Sequence, residues 1–396
     1  MKLTRKQILF ISIILSICFS TPIPTLAGSQ SFLGIDVSKN NGTVQWDLVA
    51  NAGYQFAMIK SGNGQDTNSH TDQDSQFEFN YNNAKATDLS CGVYHMIAGN
   101  TPEDAKKEAN YCLSIIDDRP LDLPIAYDIE STKSFEDSTL FQSGKENITN
   151  MAIAFCETIK EAGYTPMIYT SSYIYNTYLD SSRLTNYKIW IAHHDAKKPN
   201  INSPYHMWQY KTDSVEGANT SSGVCDINQI IEKLFFQKNT ITIGKEETVK
   251  LIPTLFSAFT DTSIAFSSST PNVVTVSKTG LVSGKKISSS TITATSSHNT
   301  RATCKIIVKK APTSISFTEK NKTLKKKTLK KGQSYSVKTA LSKNSASYSL
   351  TYSSSNKKVA TIDSNGKITA KKVGATTIKV KTYNGKTASL KLSVKK

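Results

Sequence analysis

Leu123-Pro124-Ile125-Ala126-Tyr127-Asp128-Ile129-Glu130 reads as a buried strand that ends in two acids. Leu123 to Tyr127 is an apolar run with Pro124 at its start, where a missing N–H is tolerated, and such a run suits a strand covered on both faces. Side chains alternate along a strand, so Asp128 and Glu130 point to one side, ~6–7 Å apart. Two carboxyls so placed repel, which pushes one toward staying protonated at neutral pH while the other ionises. A general acid beside an anionic stabiliser or nucleophile is the equipment that a glycosidic bond needs. An Asp-x-Glu at a strand end is equally an ordinary pair of solvated loop acids, so the reading depends on what surrounds it.

Outward from this strand, further short apolar runs alternate with longer amphipathic segments, the sign of a β/α architecture. The runs are Phe32 to Val37, Phe56 to Lys60, Cys91 to Met96, Thr165 to Thr170, Tyr187 to Ala192, His206 to Tyr210 and Val224 to Asn228. Between them, Trp46 to Gly53, Phe77 to Lys85 and Ile148 to Ala162 read as helices, two of them stopped by glycine. Another helix starts at Thr101-Pro102-Glu103-Asp104, with a cap, a proline in the first turn and acids at the positive end of the dipole. Asn147-Ile148-Thr149 reads as a helix start, although it also fits a glycosylation sequon. Polar or aromatic residues gather at most C-terminal strand ends, where a barrel of parallel strands carries its catalytic face. Shorter helices between the later strands predict a flattened or irregular barrel.

Charge divides the 396 residues unevenly. Residues 1–240 hold 19 Lys and Arg against 26 Asp and Glu, whereas residues 241–396 hold 29 against 5. Lys2, Arg5 and Lys6, the apolar stretch Ile8 to Phe19 and the small residue at Ala27 make residues 1–27 a secretory signal peptide by charge, length and cleavage pattern. No other stretch is suited to a membrane span, so a secreted protein with no membrane contact after leader cleavage is expected. Cys91, Cys112, Cys156, Cys225 and Cys304 then form an odd, irregularly spaced set; they read as small buried hydrophobes, with one bridge in the front domain left open. His193-His194-Asp195 lacks metal-ligand spacing, and Gly62-Asn63-Gly64 lacks the third glycine of a nucleotide loop. No metal or cofactor is expected.

The motifs, taken together, carry a resemblance. Gly34-Ile35-Asp36-Val37-Ser38, the Asn-Gly before Val44-Gln45-Trp46, Gly92-Val93-Tyr94-His95, Tyr127-Asp128-Ile129-Glu130, Met167-Ile168-Tyr169-Thr170, Trp190-Ile191-Ala192, Trp208-Gln209-Tyr210 and Val224-Cys225-Asp226-Ile227-Asn228 stand in the order found in glycoside hydrolase family 25. The resemblance covers residues 32–230. It implies a muramidase that hydrolyses the β-1,4 bond between N-acetylmuramic acid and N-acetylglucosamine in peptidoglycan. By the same resemblance Glu130 matches the proton donor, Asp128 the neighbouring stabilising acid, and Asp36 and Asp226 the other two active-site carboxylates. Whether Asp128 or the substrate's 2-acetamido group is the nucleophile stays open. Tyr94, Tyr169, Trp190, Trp208, Gln209 and Tyr210 are the candidate sugar-binding residues, although each aromatic also fits a core. Two segments depart from the family pattern, Lys60-Ser61-Gly62-Asn63-Gly64 and Met96-Ile97-Ala98-Gly99.

Behind the barrel the chain repeats. Phe266 to Lys310 answers Tyr352 to Lys396 without a gap at an offset of 86 residues. Alternating Ser, Thr, Val and Ile with turns such as Asn365-Gly366 make each copy an all-β sandwich. Val359-Ala360-Thr361-Ile362 to Ala370 resembles bacterial immunoglobulin-like domains of group 2. The expected architecture is therefore α/β: an irregular (β/α) barrel over residues 31–236, followed by two all-β immunoglobulin-like sandwiches over 237–311 and 312–396. The lysine excess suggests retention on anionic cell-wall polymers. Nucleic acid is disfavoured because the lysines lack interleaved aromatics. The rival reading is a non-catalytic glycan-binding or surface interaction protein on the same barrel.

Overall fold

The computed structural model describes residues 27–64, 73–130 and 138–396. The expected leader lies outside these residues apart from Ala27, where the first strand begins. Among the described residues, no helix is long and apolar enough to cross a membrane.

All eight expected strands form: β1 (Ala27–Val37), β2 (Phe56–Asn63), β3 (Ser90–Met96), β4 (Ile125–Asp128), β5 (Pro166–Ser171), β6 (Lys188–Ala192), β7 (Met207–Asp213) and β8 (Cys225–Phe235). β1 to β7 pair in parallel and in chain order. β8 departs from the expected all-parallel barrel, because it runs antiparallel to both β7 and β1 as it closes the ring. Residues 214–224, which connect β7 to β8, hold no helix, and a parallel return needs a crossover of a dozen or more residues.

Helices α1 (Trp46–Asn51), α2 (Phe77–Lys85), α3 (Pro102–Ile116), α4 (Thr139–Gln142), α5 (Gly144–Glu161) and α6 (Ser172–Tyr178) accompany the strands. Thr101 caps α3 through a reciprocal capping box with Asp104, as its sequence predicts. Asn147 is not a helix start: α5 begins at Gly144, one turn earlier. Strand alternation sorts the core into two layers. Ile35, Ala57, Ile59, Val93, Tyr127, Ile168 and Ile191 face the helices, while Phe32, Phe56, Met58, Ala126, Met167, Trp190, Met207 and Ile230 fill the barrel. The interior is crowded: a Cβ on Gly34 would lie 2.4 Å from the Phe56 ring. Cys91, Cys112, Cys156, Cys225 and Cys304 are all buried free thiols, so the bridge left open by the sequence is not made.

The two sandwiches share one topology. Strands at 240–244, 248–250, 264–268, 274–276, 281–284, 288–296 and 301–309 each recur 86 residues later, which extends the repeat back from Phe266 to Thr240. The first sandwich is fused to the barrel, since Thr254–Phe256 pairs with residues 233–235 of β8. The two sandwiches meet at Glu247, a buried carboxylate that accepts from the Gly244, Tyr348 and Ser349 N–H groups at 2.8–2.9 Å.

Candidate active site

Every barrel strand delivers one inward side chain to the mouth: Asp36 from β1, Lys60 from β2, Tyr94 from β3, Asp128 from β4, Tyr169 from β5, Trp190 from β6, Gln209 from β7 and Asp226 from β8. Glu130 follows two residues beyond Asp128, on the same side. Together they line an open cleft of about 720 Å³. The antiparallel course of β8 matters here, because it brings Asp226, near the strand's start, to the end where the other strands finish. Asp36 and Asp226 are direct partners across the β1–β8 ladder, so their side chains project to the same face.

Asp36 is held by a network whose direction can be read from its donors. The Trp190 indole N–H can only donate, and it donates to Asn228 Oδ1 at 2.8 Å. Asn228 Nδ2 must therefore face Asp36 Oδ2, to which it donates at 2.7 Å. Gln209 Nε2 donates to the same oxygen at 2.9 Å, while its Oε1 accepts from the Tyr169 hydroxyl and faces His194 Nε2, each at 3.0 Å. Burial, then the charge of Asp226, pushes the Asp36 carboxyl up to about 8, against the lowering effect of these two amide donors.

The other acids are raised too. Asp128, only 2% exposed, stands well above the usual carboxylate range because of burial and then the charge of Glu130, with Lys60 opposing. Among the described residues its Oδ1 has no hydrogen-bond partner. Glu130 is the exposed member, yet desolvation at the mouth raises it, opposed by Lys60 and reinforced by Asp226. Asp226 is raised by desolvation, against the charge of His194. Four carboxyls pushed upward in one cleft cannot all ionise at neutral pH, and their protons belong to the group rather than to single residues.

The candidate sugar-binding residues divide. Tyr94, Tyr169 and Gln209 line the cleft, and Trp190 forms its floor, 1% exposed with Tyr169 4.3 Å away between ring centroids. Trp208 and Tyr210 do not line it. Both flank Gln209 on β7, so alternation turns them outward; Trp208 donates to the His193 carbonyl and Tyr210 packs against the outer core. Lys60 and Asn228 were not among the expected site residues. Their positions carry a signal nonetheless, since each lies two residues from an inward neighbour, Met58 and Asp226 respectively.

The two atypical segments brace one another beside the cleft. His95 Nε2 donates to the Gly64 carbonyl at 2.7 Å and Nδ1 accepts from the Ser61 hydroxyl at 2.8 Å; burial lowers its pKa to about 4, so it stays neutral. Gly64 N–H donates to the Met96 carbonyl, and buried Glu108 accepts from the Ala98 and Gly99 N–H groups.

Residues 35–218 match the profile of glycosyl hydrolases family 25, and residues 236–306 and 313–392 match the bacterial Ig-like domain (group 2). The chain is 29% identical over 224 residues to the autolytic lysozyme of Clostridium acetobutylicum, covering 55% of this chain and 63% of that protein. It is 28% identical over 199 residues to lysozyme M1 of Streptomyces globisporus, covering 48% of this chain and 64% of that one. The chain thus spans less than two thirds of either relative. Among solved structures, the bacterial lysozyme from Streptomyces coelicolor aligns at 25% identity with a TM-score of 0.41, over 51% of this chain and 92% of its own. The barrel of this protein is a family 25 glycosyl hydrolase domain, carried ahead of two group 2 bacterial Ig-like domains.

Proposed function

We propose that this protein is a secreted peptidoglycan hydrolase that cleaves the β-1,4 bond between N-acetylmuramic acid and N-acetylglucosamine, with the lysine-rich sandwiches retaining it on anionic cell-wall polymers. The observation that carries the reading is the convergence of Asp36, Asp128, Glu130 and Asp226 on one open cleft with all four carboxyls raised. The two relatives are themselves named lysozymes. Glu130, exposed at the mouth with its carboxyl raised by desolvation, donates to the leaving oxygen. Asp128, whose Oδ1 has no hydrogen-bond partner among the described residues, stabilises the positive charge that develops at the sugar. Asp36 and Asp226 complete the wall of carboxyl groups, and Tyr94, Tyr169 and Gln209 supply contacts for the glycan.

The product decides the reaction. Purified peptidoglycan digested by the protein, reduced with borohydride and analysed by mass spectrometry is expected to yield reduced muramic acid ends. Reduced glucosamine ends would move the cut to the other bond. The absence of new ends with wall binding intact would make the barrel a lectin-like domain.

Lys60 tunes this chemistry in a direction that can be tested. Its ammonium favours ionisation of both Asp128 and Glu130, so Lys60→Met raises both. The limb of the pH–rate profile that needs Asp128 ionised and the limb that needs Glu130 protonated both move to higher pH. Initial rates on soluble glycan fragments across the pH range check this; an unmoved or acid-shifted profile contradicts it.

A further inference from the structure

The lysine excess is not spread evenly over the two sandwiches. Residues 312–396 hold 20 Lys and 2 acids, whereas residues 237–311 hold 10 Lys and Arg and 3 acids. Much of the difference falls on one face. In the second sandwich the strands 326–330, 387–395, 374–382 and 350–354 form a four-stranded sheet. Its inward residues, Leu329, Leu390, Leu392, Val394, Ile378 and Val380, fill the core. The alternate positions are exposed and include Lys326, Lys330, Lys379, Lys381, Lys391 and Lys395.

Register places these lysines against one another. Lys326 is the direct partner of Lys391, and Lys330 of Lys395; Lys379 lies diagonal to Lys391 on the neighbouring strand. Like charges directly opposite on a sheet destabilise it. Among the described residues no carboxylate forms an ion pair with any of the six. The two acids of this sandwich are engaged elsewhere, Glu319 with Lys327 and Asp363 with the N–H groups of its own turn.

The first sandwich provides an internal control. At the same fold positions, 86 residues earlier, Lys326, Lys330, Lys379 and Lys381 correspond to Thr240, Gly244, Thr293 and Thr295; Lys305 and Lys309 alone retain the charge. The same strands in the same order form there without the other four lysines. The fold does not need them, and their mutual repulsion disfavours them, so an external anion is the compensating partner.

We propose that this face is a binding surface for a linear phosphodiester polymer of the teichoic-acid class, a proposal that rests on the wall-directed reading above. Strands ~4.8 Å apart, with i, i+4 lysines ~13–14 Å apart, form a cation row that a flexible chain of regularly spaced phosphates can follow. The rest of the face is Ser, Thr and Ala375, with no aromatic ring to stack a nucleobase and no large apolar group to enter a bilayer. Lysine acts as a point charge suited to phosphates in many orientations.

The test transplants the first sandwich's residues into the second, in the full chain: Lys326→Thr, Lys330→Gly, Lys379→Thr and Lys381→Thr together. Binding is measured against purified poly(glycerol phosphate), intact walls, walls stripped of phosphodiester polymer by hydrofluoric acid, and phosphatidylglycerol vesicles, over a range of NaCl concentrations. The parent is expected to bind polymer and intact walls in a salt-dependent way and to lose binding to stripped walls. The fourfold variant is expected to weaken polymer binding by about tenfold or more and to cut the slope of log Kd against log salt by roughly two-thirds, with four of six cations removed. Circular dichroism and cleavage of soluble glycan fragments should be unchanged. Equal binding by parent and variant, or undiminished binding to stripped walls, overturns the proposal; binding to vesicles alone reassigns the face to a membrane and overturns it too. If polymer binding behaves as expected while peptidoglycan yields no new ends, the hydrolase reading fails and this surface stands.

Discussion

Glu130→Gln is expected to lower kcat on peptidoglycan by at least about 10²–10⁴-fold, the range of a lost general acid, which corresponds to roughly 3–5 kcal/mol of barrier. Gln keeps the shape and the hydrogen-bonding reach of the side chain but has no proton to give to a leaving oxygen. The fold should not feel the change. Glu130 lies just past β4 and is exposed, and the backbone around it is anchored independently, by Ile129 N–H donating to the Tyr169 carbonyl and Thr170 Oγ1 to the Ile129 carbonyl. Desolvation outweighs the attraction of Lys60 and disfavours the charged form, so a neutral amide costs the native state no net favourable interaction. KM should therefore stay within a few-fold while kcat collapses, the signature of an interaction made only in the transition state. The measurement is kcat and KM for parent and variant on one soluble glycan substrate, alongside thermal unfolding of both. A variant with parental kcat would remove Glu130 from the acid's role; a loss of kcat accompanied by a large fall in melting temperature would point to a structural cause instead.

The barrel was readable because its strands are short, apolar and spaced by helices with clear caps and stops. Thr101 with Pro102 and Asp104 is one such start, and Gly53 and Gly163 mark two ends. Periodicity says which residues share a face but not the direction in which a strand runs, so the antiparallel β8 was not legible in Val224 to Asn228. Direction follows from the length of the preceding connection, which lacks room for a helix. The same alternation that joined Asp128 to Glu130 also separates Gln209 from Trp208 and Tyr210, and a reading by motif grouped all three. Lys60 was visible only as part of an atypical segment, because its effect is electrostatic and depends on the strand that β2 lies beside. The fusion of barrel and first sandwich was the least legible feature. β8 continues to Phe235 with no break in alternation, and nothing in the sequence marks where one core ends and the next begins.

That fusion gives the second large effect: a chain cut after Phe236 is expected to lose the barrel's base. The barrel interior is closed from below by residues that follow the cut. Phe259 is 2% exposed, packs edge-on against Phe32 with centroids 5.0 Å apart and stacks on His298 at 3.7 Å. Ala258 belongs to the same interior cluster. Lys188, at the start of β6, spends all three N–H donors on the Ser257, Ala258 and Phe259 carbonyls at 2.7–3.0 Å. Buried Glu232 accepts from Ser257 and Ser296 and lies 3.4 Å from His298 Nδ1. Removing these partners takes from Lys188, whose pKa burial lowers to about 8 in the full chain, and from Glu232 the hydrogen bonds that anchor the base, and it opens the apolar interior to water. The point substitution isolates the packing contribution. Phe259→Ala in the full chain should cost about 3–5 kcal/mol, as other buried aromatic truncations do, and lower the barrel's melting temperature by roughly 6–20 °C. Trp46, Trp190 and Trp208 are the only tryptophans and all lie in the barrel, so tryptophan fluorescence reports barrel unfolding alone. Residues 27–311 should melt with the full chain by this probe, and residues 27–236 well below it or not as a folded species. If 27–236 melts with the full chain and Phe259→Ala changes nothing, the barrel is independent of the sandwich and its boundary lies within β8; if both fall, the smallest stable unit extends past Phe259 into the first sandwich.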